Sequence, residues 1–97
     1  MSKIDVTVTL SATFNTGNFG NVRPEVSLTK KDVEQKDLSE EYNKLLEVAE
    51  AMFGLQTHSL MNEVRTSDEG IRAYMRALEG NTDRMLEIID EYTGKEG

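Results

Sequence analysis

Between Lys3 and Asn15 the side chains alternate without a break. Ile4, Val6, Val8, Leu10, Ala12 and Phe14 are apolar, and Asp5, Thr7, Thr9, Ser11 and Thr13 fall between them. Only an extended chain places every second residue on one face, so this period of two predicts a half-buried strand, and its β-branched residues suit a pleated surface. Asn15-Thr16-Gly17-Asn18-Phe19-Gly20-Asn21 supplies turn residues. A second alternation then runs through Val22, Pro24, Val26 and Leu28. The pattern predicts a long antiparallel β-hairpin over residues 3–31, with strands at about 3–15 and 22–30. Pro24 cannot donate to a strand ladder, so the second strand has an edge or a bulge there.

The hairpin tip is rich in residues that suit tight turns. Gly17 and Gly20 permit positive φ, and Asn15, Asn18 and Asn21 tolerate the left-handed region. Turn chemistry does not account for Phe19, which either folds back onto the protein or is presented to a partner. The Thr/Ser face of the first strand is either solvated, as one side of an antiparallel sheet usually is, or lines a ligand site. Arg23 is the only Arg in the first half of the chain. It either holds an anion or pairs with Glu25 or Asp5.

The remainder reads as helix. Residues 30–37, KKDVEQKD, form a charged connector expected to lack fixed structure except near its end, where Asp37 and Glu40 fit a capping box. Leu38, Tyr42, Leu45, Leu46, Ala49, Met52 and Phe53 follow helical spacing as one apolar stripe opposite Glu40, Glu41, Lys44, Glu47 and Glu50. Gln56, Leu60, Met61 and Val64 continue the phase, which predicts one long helix over 37–66, running through or kinking at Gly54. A glycine there costs about 1 kcal/mol relative to Ala, a loss that packing can offset. Thr66 or Ser67 is expected to cap the next helix, with Asp68 and Glu69 at its positive end. Two helices then occupy 67–94, the first carrying Ile71, Tyr74, Met75 and Leu78. The second carries Met85, Leu86, Ile88, Ile89 and Tyr92 and is closed by Gly94.

The order β-β-α-α-α, in one domain over residues 1–97, predicts an α+β fold. In it a long antiparallel hairpin packs on an amphipathic helix and two further helices follow. A two-stranded hairpin is marginal alone and leaves two open edges. Completion of the sheet in a homo-oligomer is the simplest remedy.

Bulk properties narrow the function. A net charge of -7 disfavours general DNA or RNA binding. The acidity either keeps a small protein soluble, meets a basic partner, or mimics nucleic acid. With no Cys there is no disulfide or thiolate chemistry. The start MSKID shows no signal-peptide pattern, and no apolar run is long enough to span a bilayer, so a cytoplasmic location is expected. There is no P-loop, nucleophile elbow or paired His. His58 stands alone, and the Asp and Glu residues lie on amphipathic helix faces. No catalytic residue, cofactor or metal is expected, and the chain is not expected to be an enzyme.

A recognition surface is what the residues do offer. Hydroxyls on Thr7, Thr9, Ser11 and Thr13, amides on Asn15, Asn18 and Asn21, the Phe19 ring and the Arg23 guanidinium all belong to one hairpin. A small nucleotide needs edges to read, a face to stack on and phosphates to neutralise, and these groups can do each. The candidate ligand residues are Thr13, Asn15, Asn18, Phe19, Asn21 and Arg23.

The stretch VTVTLSATFNTGNFGNVRPEVSLT, with the acidic helix after it, resembles a pattern of small bacteriophage-encoded proteins over residues 4–53. The turn positions carrying the likeness are Asn15, Gly17, Asn18, Phe19, Asn21, Val22 and Arg23. In size and layout the chain is similar to phage anti-defence sponge proteins, which sequester cyclic nucleotide messengers of systems such as CBASS and Thoeris without degrading them. The resemblance implies capture of a small anionic nucleotide by an oligomer in the host cytoplasm, at a subunit interface. Positive charge would have to come from Arg23, Lys3, Lys30 or Lys31. The alternative reading is a small acidic module that binds and inhibits a host protein through its helical faces or its acidic surface, and an exposed apolar patch among Tyr74, Met75 and Tyr92 would favour it. An accessory structural or regulatory role is a third.

Overall fold

The computed structural model describes residues 3–17, 20–61 and 68–94. The fold is α+β. Its elements are β1 (Lys3–Ser11), β2 (Phe14–Gly17), β3 (Gly20–Val22), β4 (Glu25–Glu34), a 3-10 turn (Gln35–Asp37), α1 (Leu38–Met61), α2 (Glu69–Gly80) and α3 (Thr82–Thr93). β1 pairs with β4 and β2 with β3, both antiparallel. The two small sheets are one ribbon in a single register. Ser11 faces Glu25, the Ala12 N–H donates to the Pro24 carbonyl at 3.3 Å, and Phe14 faces Val22. Each pair sums to the same number, so the ladder continues past a gap at Thr13 and Arg23. Pro24 has no N–H to return, which is why the predicted 3–15 and 22–30 strands are each interrupted beside it.

β4 runs on to Glu34, so the stretch expected to be an unstructured connector is mostly strand. Between Ile4 and Val6 the register slips: Val6 faces Lys30, and Ile4 faces Val33. Lys31 and Asp32 therefore share the place opposite Asp5, a β-bulge. Asp32 adopts a left-handed φ of 60°, and its N–H donates to Asp5 Oδ1 at 3.2 Å. The extra residue flips the phase and turns Val33 inward, where it is 3% exposed. An unbroken period of two cannot register that flip, so the alternation read from the sequence stops short of the strand's end.

α1 covers the apolar face of the ribbon. Leu45 and Ala49 pack with Val6, Val8 and Val33, flanked by Leu10, Val26, Leu28, Leu38 and Leu46. Fully burying a side chain such as Leu45 contributes roughly 1.5–3 kcal/mol, the support that a bare hairpin lacks. α1 passes through Gly54 without interruption, and residues 62–66 of the expected helix lie outside the described residues. The helix is not single-striped. A second cluster, Ala51 with Leu78 and Met85, packs α2 and α3 against it, joined by Leu55, Tyr74, Met75, Ile88 and Ile89. Tyr42, Leu60 and Leu86, placed on apolar stripes by their spacing, remain 44%, 48% and 50% exposed.

The helix ends also differ from expectation. No Asp37–Glu40 capping box forms. The chain enters α1 through the 3-10 turn, whose N-cap Glu34 makes no side-chain cap bond, and Glu40 pairs with Lys44 at 3.8 Å instead. Asp68 itself caps α2, accepting from the Ile71 N–H at 3.0 Å; Thr66 and Ser67 lie outside the described residues. Asn81 precedes α3 but turns its amide back to the Ala77 carbonyl. Gly94 closes α3 in the left-handed conformation, as its position predicts.

Candidate functional site

The single register makes the polar face of the ribbon a row of cross-strand pairs. Thr7 Oγ1 lies 2.8 Å from Thr29 Oγ1, and Thr9 Oγ1 lies 3.1 Å from Ser27 Oγ. Ser11 faces Glu25, and Asn15 faces Asn21 at the far end. Between these, Arg23 Nε donates a long hydrogen bond of 3.5 Å to Thr13 Oγ1. Thr13, Asn15, Asn21 and Arg23 are all exposed. Four of the six predicted site residues thus share one end of one face. Asn18 and Phe19 lie outside the described residues.

Arg23 has no carboxylate partner among the described residues, so neither of its expected pairings, with Glu25 or with Asp5, forms. Asp5 is engaged with the Asp32 amide. The guanidinium lines a cleft of about 390 Å³ with Ser11, Ala12, Thr13, Pro24 and Glu25. Donors and acceptors dominate this lining, with one cation and one carboxylate. Such a cleft can hold a small anion through Arg23 and offer hydroxyls to its remaining oxygens. The lysines suggested as further cations are not close. From Arg23 to Lys30 is seven positions of strand, about 23 Å at roughly 3.3 Å per residue. Lys30 is also engaged, 3.4 Å from Glu41 and 5.9 Å from the centre of the Tyr92 ring.

The opposite face of the ribbon's end is anchored. Phe14 stacks on Tyr74 of α2, with ring centroids 5.6 Å apart and planes at 23°. This pair ties the end of the ribbon at Phe14 to α2. The sequence carries no signal of it, since Phe14 reads there only as the last apolar residue of a strand. Beside it an apolar cleft of about 400 Å³ opens among Leu10, Ala12, Phe53, Gly54, Tyr74 and Met85. Tyr74 and Met75 belong to the second core cluster. They are only partly buried there, and Tyr92, the third residue of the patch that would suit a host-protein module, is 38% exposed.

Among the described residues no group of three or more His, Asp and Glu side chains could hold a metal ion. No described helix is long and apolar enough to cross a membrane. Set against protein-family models, curated proteins and solved structures, the chain matches none of them.

Proposed function

We propose that this chain is a phage anti-defence sponge that binds a cyclic nucleotide immune messenger in the host cytoplasm and holds it without turning it over. The observation that carries this reading is Arg23, a cation without a carboxylate partner among the described residues, set in a cleft beside Thr13 and Ser11 and next to the Asn15–Asn21 pair. The guanidinium would take a phosphate bidentately, and the amides would read a base edge. The resemblance of residues 4–53 to small phage-encoded proteins, and of the chain's size and layout to sponge proteins, supports the same reading. A net charge of -7 argues against a long nucleic-acid ligand, and a small anionic messenger would have to be held against that charge by the local cation Arg23. The sponge would act as a homo-oligomer.

The test is equilibrium filtration of the protein against cyclic dinucleotides, cyclic trinucleotides and cyclic ADP-ribose isomers. The reading predicts stoichiometric depletion of one species by the wild type. It predicts at least a tenfold loss of affinity in Arg23→Ala, since a lost charge-assisted bond is worth roughly 1.5–3 kcal/mol. Depletion that survives Arg23→Ala unchanged would move the site elsewhere. No depletion of any species would favour the host-protein module.

A further inference from the structure

The exposed edge of β4 is self-complementary. The Ala12–Pro24 bond fixes the parity of the ribbon: even-numbered pairs are the hydrogen-bonded ones, and Thr7–Thr29 and Thr9–Ser27 are the non-bonded ones. The close hydroxyl contacts of those two pairs agree, because non-bonded pairs bring side chains nearest. It follows that the N–H and C=O groups of Ser27 and Thr29 point away from β1. The sheet has only two strands, and these groups have no partner among the described residues. The free window is bounded at both ends. At one end Gln56 Oε1 accepts the Glu25 N–H at 2.7 Å. At the other the Lys31–Asp32 bulge breaks the ladder.

We infer that β4 pairs antiparallel with β4 of a second copy about a two-fold axis at Leu28. This axis sets Ser27 against the partner's Thr29, so that both outward-facing residues of the window exchange backbone bonds. It sets Leu28, half-buried in one copy, against the partner's Leu28. It also sets Glu25 against the partner's Lys31, twice, by symmetry. The β1 edge offers such a match only for an axis at Ile4, which sets Lys3 against the partner's Asp5, a carboxylate already engaged by the Asp32 N–H at the very end of the strand. A two-fold at Val8 places Lys3 against Thr13 and Asp5 against Ser11, and one at Thr7 places Lys3 against Ser11 and Asp5 against Thr9. Edge lysines and a bulge ordinarily discourage indefinite strand addition; here they limit pairing to one partner and close the assembly as a dimer.

The pairing completes the cleft. Glu25 lines the same cleft as Arg23. The partner's Lys31 arriving opposite Glu25 neutralises the one carboxylate there and leaves the Arg23 charge for an anion. This role of the dimer rests on the oligomer in the proposed function and not on its nucleotide, so the dimer is tested with no ligand present.

The experiment is sedimentation velocity of the full chain over a concentration series, repeated for Glu25→Lys, Lys31→Glu and their equimolar mixture. The wild type is expected to be a dimer. Each single reversal sets like charges opposite each other and is expected to weaken dimerisation about tenfold or more. In the mixture the Glu25→Lys chain carries lysine at both contact positions and the Lys31→Glu chain carries glutamate at both. Opposite charges then meet at each contact, and a heterodimer is expected to be restored. Far-UV circular dichroism confirms that the variants fold. A wild type that stays monomeric throughout overturns the inference, as do single reversals that dimerise unchanged. A sound dimer without nucleotide capture would fail only the ligand reading.

Discussion

Gly54 and Met85 meet where α1 is crossed by α3. A β-carbon on Gly54 would lie 2.5 Å from Met85 Sδ and 3.3 Å from Leu78 Cδ2. The glycine is there for a close approach and not for a turn, since the helix continues on both sides. Its propensity penalty of about 1 kcal/mol is offset by the packing that the approach allows.

Gly54→Ala is therefore expected to destabilise by about 1–2 kcal/mol, overpacking outweighing the gain in helix propensity. In a Met85→Ala background the same change is expected to stabilise by up to about 1 kcal/mol. Urea midpoints for the four-variant cycle check the coupling. Additive effects would mean that the two residues do not share the space.

Asp32 carries the cost of the bulge at a φ of 60°. Asp32→Gly is expected to be neutral within about 0.5 kcal/mol, while Asp32→Val is expected to lose about 2 kcal/mol, because a β-branched residue rarely adopts the left-handed region. Asp5→Ala should cost about 1 kcal/mol through the lost bond to the Asp32 amide. Thermal or urea unfolding of the three variants measures these losses.

Thr57 is fully buried, and its hydroxyl has no hydrogen-bond partner among the described residues. Thr57→Val keeps the shape and removes the unpaired polar group. It is expected to raise stability by about 1 kcal/mol, seen as a higher urea midpoint with an unchanged slope. A lower midpoint would reveal a bond that the hydroxyl makes in solution.

The Phe14–Tyr74 stack couples the ribbon's end to α2. Replacing either ring by Leu is expected to cost about 0.5–1.5 kcal/mol beyond lost area, and the double variant should cost less than the sum. Hydrogen exchange at the backbone amides of residues 14 and 22, the hydrogen-bonded pair at this end of the ribbon, should accelerate in both single variants. Equal exchange would mean that the tip is held by its own ladder.

The alternation of Ile4 to Phe14 is enough to assign the face of each strand residue, because a half-buried strand admits one phase. It cannot locate the return strand's true end, since the bulge at Lys31 and Asp32 reverses the phase and hides Val33. The apolar positions of α1 are legible, but not their division between two partners. That division depends on where α2 and α3 fall, and only Gly54 hints at it. At the candidate site the local sequence brings Thr13, Asn15, Asn21 and Arg23 together because a hairpin makes neighbours of residues equidistant from its turn. The absence of a carboxylate on Arg23 among the described residues and the anchoring role of Phe14 are tertiary facts with no local signal.

The central claim, capture without turnover, is tested most directly by the amount of intact nucleotide recovered after the loaded protein is heat-denatured and filtered. The sponge account predicts full recovery of the one depleted species, in an amount that rises in proportion to the protein added and falls with Arg23→Ala. Recovery of an altered nucleotide would contradict it and make the chain an enzyme.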